Sequence, residues 1–242
     1  MKLSVDLTVI LPAYEEAENL RSLLPSLREA VEALVPQYEI LVVDAISPRD
    51  ETPAICASEG VRYVARQGGE NYGHAIRTGI AASSGRHVVI MDADGSHNPV
   101  FLRSMWEKRD EADLVIASRY INGGKTENPA VLIFMSLIVN VVFRLVLRLN
   151  CLDVSNSLRL YRGDDLRSLE LRCDHFDIVE EILVLLCCRT RGYRVCEVPV
   201  TFEVRKAGKT KRQLLAFAFS YVVVLCRLWA LRRRTLRNIG VL

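Results

Sequence analysis

The chain has 242 residues, of which half are hydrophobic and a quarter charged, so it can form a sizeable core and is not globally disordered. Its 32 lysines and arginines against 29 aspartates and glutamates give a net charge of only +3, which argues against a nucleic-acid partner. The seven cysteines include no Cys-x-x-Cys pair, and we expect them to be reduced in a protein that faces the cytosol. The first residues run directly into an apolar strand, so we expect no signal peptide.

Strands and helices alternate through the first half of the chain. Short apolar runs predict strands at Leu7–Leu11, Glu39–Val43, Val61–Val64, Val88–Met91 and Asp113–Ala117. Helical spacing and end signals predict helices at Ala17–Leu34, Thr52–Glu59, Tyr72–Ser83 and Pro99–Lys108. This alternation predicts an α/β fold with a mainly parallel central sheet flanked by helices.

The pattern changes after residue 120. A long apolar helix is predicted over Pro129–Leu149, and a later strand over Val195–Phe202. The polar residues of the helix recur every four positions, at Ser136, Asn140, Arg144 and Arg148. This stripe either guides a lipid phosphate or faces water, and the sequence leaves both readings open. Glu180 and Glu181 precede a further apolar helix, where they either face an acceptor site or are solvated.

The C-terminal segment combines apolar and basic residues. Leu214–Cys226 is interrupted only by Ser220, and residues 205–237 contain many lysines and arginines but no acidic residue. Neither this segment nor Val131–Phe143 has 18 charge-free residues, which disfavours a simple spanning helix. We expect an amphipathic helix lying on an anionic membrane surface, with a core helix as the alternative. The predicted division is a domain at 1–212 and a helical segment at 213–242.

The run His87–Pro99 carries the most informative chemistry. Its buried strand delivers two carboxylates, Asp92 and Asp94, and strand alternation predicts that both face one point. Two converging carboxylates repel unless a cation lies between them, and hard oxygen ligands suit Mg²⁺ or Mn²⁺ bound to phosphates. The alternative is a pair of solvated turn aspartates. Because ligands of such sheets bind beyond the carboxyl ends of the strands, this position favours a functional site.

Several motifs together resemble a known family. They are Val9–Glu16, Leu41–Asp44, Arg77–Ile80, Val89–Asp94, Ala117–Tyr120, Asp153–Tyr161, Gly192–Val200 and Gly208–Lys211. In this order they resemble nucleotide-sugar glycosyltransferases of the GT-A fold, in the branch that glycosylates polyprenyl phosphates. Dolichyl-phosphate mannosyltransferases are the best-known members of that branch. The resemblance covers about residues 7–212.

The resemblance implies a metal-dependent, inverting glycosyltransferase that uses Mg²⁺ or Mn²⁺. It would move a hexose of mannose or glucose type from a GDP- or UDP-sugar to polyprenyl phosphate, at the cytosolic face of a membrane. The alternatives are a glycosyltransferase for another lipid or glycan acceptor, and a non-catalytic nucleotide-sugar-binding subunit.

The resemblance also implies roles for individual residues. The residues implied to bind the nucleotide sugar are Pro12, Tyr14, Glu16, Asp44, Asp92 and Ala93. The residues implied to bind the metal are Asp92, Asp94 and Ser96. The residues implied to be catalytic are Asp94, Arg119, Arg205 and Lys211, of which the cations would gather phosphate oxygens.

The chain departs from the family pattern at three places. Ala45 replaces a second acidic residue after Asp44, and the segment that follows is one residue longer, which bears on base or sugar specificity. Ser96 stands where a glutamine often adds a metal ligand. Ser155–Arg159 differs from the usual Ser-Gly-Phe-Arg, which bears on the acceptor pocket.

Overall fold

The structure is a computed structural model, and it describes residues 4–189, 192–203, 214–238 and 240. The β-strands in these ranges are β1 (Leu7–Pro12), β2 (Tyr38–Asp44), β3 (Arg62–Ala65), β4 (His87–Ile90), β5 (Leu114–Ser118), β6 (Lys125–Thr126), β7 (Arg159–Arg162), β8 (Val195–Pro199) and β9 (Thr201–Phe202). The α-helices are α1 (Ala17–Glu32), α2 (Thr52–Glu59), α3 (Tyr72–Ala82), α4 (Leu102–Glu107), α5 (Ala130–Leu147), α6 (Gly163–Arg167), α7 (Ile178–Arg189) and α8 (Leu214–Asn238).

Seven strands form the central sheet, in the order β3-β2-β1-β4-β7-β5-β8. All neighbouring pairs are parallel except the two made by β7, which runs antiparallel between β4 and β5. The predicted α/β fold with a mainly parallel central sheet is therefore confirmed. β7 was not predicted as a strand, because two of its four residues are arginines and it lacks the apolar run of its neighbours.

Two predicted elements are divided in the structure. The strand predicted at Val195–Phe202 breaks after Pro199, so that β8 extends the central sheet while β9 pairs with β6 in a separate two-stranded sheet. The helix predicted at Pro99–Lys108 begins with a 3-10 turn over Pro99–Phe101 before α4. In the first case a proline, which has no N–H to donate, lies at the point of change.

Apolar layers cover both faces of the sheet. Along β1, Val9 and Leu11 pack with the apolar face of α1, whereas Ile10 packs with α3 on the opposite face, as strand alternation requires. Gly79 brings α3 close to the sheet, because a Cβ atom there would lie only 2.4 Å from Cγ2 of Ile10.

Helix α5 has Asn140 turned towards the protein and a row of apolar side chains turned outwards. Asn140 is 2% exposed, whereas Phe134 and Leu145 are 65% and 66% exposed. Both readings of the polar stripe were therefore wrong for Asn140, which neither faces water nor lies open to a ligand. Among the described helices, α5 is the one long and apolar enough to cross a membrane by length and composition. The helix predicted to lie on the membrane is instead the C-terminal one, α8.

Helix α8 packs on the rest of the chain. Leu228 is fully buried in the same apolar cluster as Leu147 of α5 and Leu183 of α7. The ring of Tyr221 meets Phe143 of α5 edge-on, with centroids 5.7 Å apart. These contacts favour the core-helix alternative for this side of α8, and the boundary at residue 212 stays a prediction.

Candidate active site

The predicted site residues follow the carboxyl ends of four strands. Pro12 ends β1, Asp44 ends β2, Asp92 lies two residues beyond β4, and Arg119 directly follows β5. Because β1, β2, β4 and β5 all run in one direction, these residues lie along one edge of the sheet.

Tyr14 lies next to two arginines at this edge. The Cζ atom of Arg49 is 5.1 Å from the centroid of the Tyr14 ring, and that of Arg66 is 5.6 Å away. Both distances are within the range of cation–π attraction. The segment that is one residue longer than the family pattern therefore places Arg49 against Tyr14.

Arg66 is a buried arginine that was not among the predicted site residues. It is 4% exposed and donates to three backbone carbonyl groups: that of Asp44 at 3.0 Å, that of Glu70 at 2.6 Å, and that of Ala13. These hydrogen bonds tie together the segments that follow β1, β2 and β3. Its position directly after β3, at the same edge of the sheet as the predicted site residues, is a signal by which the sequence could have identified it.

The carboxylate of Asp44 is buried behind this cationic region. It is 1% exposed, and the Tyr63 hydroxyl donates to its Oδ2 at 3.4 Å. Burial raises the pKa of Asp44, and the charge of Arg66 only partly opposes that shift. A buried carboxylate of this kind is stabilised by a ligand that donates N–H groups.

Glu16 and Asp50 organise the start of two helices. Oε2 of Glu16 accepts a hydrogen bond from Asn19 at 2.6 Å, and its contact with the nucleotide stays a prediction. Asp50 accepts from the backbone N–H groups of Ala17 and Thr52, each at 2.9 Å, and so caps both α1 and α2. Burial acts to raise the pKa of Asp50, but the hydrogen bonds from Thr52 and Ala17 outweigh it and lower that pKa.

Asp92 and Asp94 lie in a turn rather than on a strand. Since β4 ends at Ile90 and Gly95 adopts a positive φ of 79°, the turn and not strand alternation sets the directions of the two carboxylates. That both face one point stays a prediction. The Tyr72 hydroxyl donates to Oδ1 of Asp92 at 2.9 Å.

Two serines complete the hydrogen bonds to these carboxylates, one from a distant segment and one from the turn itself. Ser157 donates to Oδ2 of Asp92 at 2.8 Å. Oδ1 of Asp94 accepts from both the N–H and the hydroxyl of Ser96, at 3.0 and 2.6 Å. Ser96 thus supports Asp94 in this structure, and its role as a metal ligand stays a prediction. Ala93 is 2% exposed between the two carboxylates.

The two carboxylates of this turn fit a divalent cation that takes its remaining ligands from a bound substrate. Among the described residues, His, Cys, Asp and Glu side chains form no group of three or more able to hold a metal alone. Asp92 and Asp94 supply two hard carboxylates. Mg²⁺ is typically bound by one or two carboxylates together with phosphate oxygens and water, so the pair fits Mg²⁺ or Mn²⁺ on a diphosphate.

Arg119 is engaged by Asp153. Its Nε and Nη2 atoms donate to the two carboxylate oxygens at 2.8 and 2.7 Å, and Nη2 also donates to Ser155 at 2.8 Å. Burial opposes the charge of Arg119, but Asp153 outweighs it and raises the pKa of Arg119. Arg119 would therefore make its predicted phosphate contact while its guanidinium is paired with the buried Asp153 carboxylate.

The chain just before the basic residues lies beside the turn that carries Asp92 and Asp94. Glu203 donates its backbone N–H to the carbonyl of Ser96 at 3.1 Å, and its side chain accepts from Asn98 at 3.0 Å. Arg205 and Lys211, both predicted to be catalytic, lie outside the described residues. Their roles stay predictions.

Glu180 and Glu181 are both buried at the start of α7, at 3% and 2% exposure. Oε2 of Glu181 accepts from the backbone N–H groups of Arg172 and Cys173 at 3.0 and 2.8 Å. The alternative of solvated helix charges was therefore wrong. For Glu181 the contacts show a structural role in holding the preceding loop.

The chain matches a family model and several curated relatives. The model for Glycosyl transferase family 2 matches residues 8–169. Undecaprenyl-phosphate mannosyltransferase from Micrococcus luteus is 36% identical over 216 residues, which cover 84% of this chain and 85% of that protein. Polyprenol monophosphomannose synthase from Mycolicibacterium smegmatis is 34% identical over 84% of this chain and 79% of that protein.

Two further comparisons extend this result. Dolichol-phosphate mannosyltransferase from Pyrococcus furiosus is 31% identical over 84% of this chain, which spans only 58% of that protein. A crystal structure of glucosyl-3-phosphoglycerate synthase from Mycobacterium tuberculosis, in complex with Mn²⁺, UDP and glucosyl-3-phosphoglycerate, matches with a TM-score of 0.69 at 18% identity, covering 93% of this chain and 80% of that one. The predicted GT-A fold and the resemblance to polyprenyl-phosphate glycosyltransferases are thereby confirmed, and the chain belongs to glycosyl transferase family 2 and is a glycosyltransferase.

Proposed function

We propose that the protein transfers a hexose, with inversion, from a nucleotide sugar to polyprenyl phosphate at the cytosolic surface of a membrane. The observation that carries this proposal is the segment 153–157, which contacts the Asp92 turn on one side and the apolar helix α5 on the other. Ser157 donates to Asp92, while the Asn140 carboxamide accepts from the backbone N–H groups of Val154 and Ser155 at 2.6 and 3.1 Å. The names of the relatives support the acceptor and favour mannose as the sugar.

The donor would lie along the carboxyl edge of the sheet. Tyr14 and the buried Asp44 would contact the base and ribose of a GDP- or UDP-sugar. Asp92 and Asp94 would hold Mg²⁺ or Mn²⁺, which neutralises charge on the departing diphosphate. Tyr72 and Ser157 fix the Asp92 carboxylate for this task, because each donates to a different oxygen of it.

The reaction would be a single displacement. A phosphate oxygen of the acceptor forms a bond to the anomeric carbon as the bond to the nucleoside diphosphate breaks, and the electron pair leaves with the diphosphate. The second pKa of a phosphate monoester is about 6, so the acceptor is already an anion at neutral pH and needs no general base. Arg205 and Lys211 would hold phosphate oxygens in this step.

The acceptor's lipid chain would approach along α5. Its outward face is apolar, and an exposed apolar surface of this extent marks an interaction site for a membrane or a protein. Because Asn140 docks α5 onto the protein, we propose that the helix lies in the membrane interface rather than crossing it. The exposed arginines Arg233, Arg234 and Arg237 near the end of α8 would add attraction to an anionic leaflet.

The test is transfer of label into a lipid product. Purified full chain is incubated with Mn²⁺, undecaprenyl phosphate in detergent, and radiolabelled GDP-mannose or UDP-glucose. We expect organic-phase label that requires the phosphate on the lipid and is lost in Asp94→Asn but retained in Asp110→Asn, a change at an exposed carboxylate. Label on neutral lipids or glycans alone would favour a different acceptor. Donor binding without transfer to any acceptor would indicate a non-catalytic subunit.

A further inference from the structure

We propose that His97 and Asn156 form a positioning pair that fixes the backbone of Asp92, and thereby the affinity of this turn for a divalent cation on a nucleoside diphosphate. This inference rests on the proposed function, since it concerns the same turn. Neither residue was among the predicted site residues.

The hydrogen bonds assign the imidazole tautomer. The backbone N–H of Asp92 donates to Nδ1 of His97 at 3.1 Å, so Nδ1 carries the lone pair. A neutral ring then carries its proton on Nε2, which lies 3.0 Å from Oδ1 of Asn156. The orientation of Asn156 is set independently, because its Nδ2 donates at 2.6 Å to the carbonyl of Ala117, which can only accept.

These bonds form one directional chain from β5 to the carboxylate turn. It runs from Ala117 through Asn156 and His97 to the backbone of Asp92. His97 and Asn156 are each 2% exposed, so bulk water does not replace a bond that is lost. The edge of Phe202 packs on the imidazole, with ring centroids 5.4 Å apart, and restrains its rotation.

Ser157, the residue after Asn156, also restrains Asp92. Ser157 donates to the Asp92 carboxylate while its neighbour Asn156 acts, through His97, on the Asp92 backbone. One short segment thus restrains both the main chain and the side chain of a carboxylate that would bind metal. Groups that orient metal ligands in this way typically change metal affinity by about 10- to 100-fold when removed.

Two substitutions separate positioning from simple packing. In His97→Asn, Oδ1 stands the same number of bonds from Cβ as Nδ1 does, so it keeps the acceptor for the Asp92 N–H. In His97→Gln, the terminal amide matches the position of Nε2 and keeps the bond to Asn156, but the Asp92 N–H loses its acceptor. Both variants lose the ring, so a packing role would affect them alike.

The experiment measures Mn²⁺ binding without turnover. Free Mn²⁺ is followed by its electron paramagnetic resonance signal in the presence of full chain and GDP, with UDP in parallel, and the melting temperature of each sample is recorded. We expect the dissociation constant for Mn²⁺ to rise about 10-fold or more in His97→Gln, which leaves the Asp92 N–H without its acceptor. Asn156→Ala keeps that acceptor but removes the bond that orients it, so it should raise the dissociation constant by a smaller factor. His97→Asn also keeps the acceptor but loses the bond to Asn156, so its effect should match that of Asn156→Ala. His87→Gln, the same change as His97→Gln at a histidine at the start of β4, should remain within about 3-fold of wild type.

The outcomes are distinct. Equal Mn²⁺ affinity in His97→Gln, His97→Asn and wild type, with only the melting temperatures lowered, would overturn the positioning role and leave the proposed function standing. If the wild type binds no Mn²⁺ with either nucleotide, the metal-dependent function fails and this inference fails with it. Asn156→Ala interrupts the same chain from its other end and decides the question if His97→Gln does not fold.

Discussion

The Arg119 guanidinium and the Asp153 carboxylate form a bidentate ion pair. Water is largely excluded from it, because the Arg119 side chain is 8% exposed and that of Asp153 is 0% exposed. Asp153 also accepts from the backbone N–H groups of Arg119 and Asn156, at 2.9 and 3.2 Å. A single carboxylate therefore joins the residue after β5 to the segment that supports Asp92.

Removing the charge of Asp153 should destabilise the fold. Asp153→Asn leaves the Arg119 charge buried without its partner, and we expect a loss of about 3–5 kcal/mol in the free energy of unfolding. Urea denaturation measures this loss. Asp164→Asn is the matched control, because Asp164 pairs with Arg167 while 99% exposed, and it should change stability little. A similar small effect at both positions would contradict the importance of burial for the Arg119 pair.

Asp94→Asn should abolish most of the transferase activity while the fold is kept. The change retains the shape of the side chain but removes one charge from the turn that would hold the cation. We expect kcat/KM to fall at least about 100-fold, as for the loss of one major electrostatic contact in an active site. Steady-state rates at saturating Mn²⁺ measure the effect. Full activity of the wild type in excess EDTA would rule out the metal role.

Polar substitutions on the outer face of α5 should release the protein from membranes. Phe134→Ser and Leu145→Ser each remove an exposed apolar side chain, whose burial in a lipid surface contributes about 1.5–3 kcal/mol. We expect each to weaken binding to anionic liposomes about 10-fold or more in a flotation assay, without loss of thermal stability. Val100→Ser, at a position that is 64% exposed elsewhere on the chain, is the control. Unchanged liposome binding in both α5 variants would place the membrane surface elsewhere.

Asp44 should make stability depend on pH. Because burial raises its pKa above the ordinary value of 3.8, the folded state holds its proton to higher pH than the unfolded state does. The stabilising contribution is therefore fully present below the unfolded pKa and is lost as pH rises through the folded pKa. We expect Asp44→Asn to be relatively more stable at neutral pH than the wild type, and to bind nucleotide less well.

Urea denaturation of Asp44→Asn and wild type across the acidic range tests this sign. The difference in the free energy of unfolding should shift in favour of the variant as the pH rises. Asp6→Asn, at an exposed ion pair with Arg86, provides a carboxylate control. A difference that stays constant with pH would show that burial of Asp44 does not oppose its charge.

Lys211→Ala should reduce turnover far more than stability. Glu203 is hydrogen-bonded to the Asp92–Asn98 turn, so Lys211 is only a short length of chain away from the proposed diphosphate site. We expect a lower kcat with a nearly unchanged melting temperature. Lys108→Ala, at an exposed surface pair with Glu111, is the control. Unchanged kinetics would show that the cations of this segment serve solubility or the membrane.

The pattern of apolar residues predicted those strands and helices whose bounds depend on local sequence. The strands that end at Pro12 and Asp44 and the helix closed by Gly60 are within a few residues of their predicted bounds, because burial and chain geometry act there over short spans. Arg66 and β7 were not found. Their positions depend on contacts between distant parts of the chain, such as the hydrogen bond from Arg66 to the Ala13 carbonyl.

Helix α5 is a second case in which contacts between distant residues could not be predicted from the sequence. The regular spacing of its polar residues was visible, but the sequence does not say what they face. Only the fold shows that Asn140 accepts from the backbone of Val154 and Ser155. Strand alternation does not determine the directions of the Asp92 and Asp94 carboxylates, since the strand stops two residues before Asp92.

The insertion of β7 between β4 and β5 affects how the protein folds. Strands β1–β4 lie side by side from one continuous stretch of chain, but β4 and β5 cannot be joined until Arg159–Arg162 has been synthesised and has turned back between them. Until then both strands present unpaired backbone groups at open edges, which favour aggregation. Since such non-local pairing is slow, we expect the pairing of β7 with β4 and β5 to come late in folding, and fragments that end before Arg159 to be insoluble.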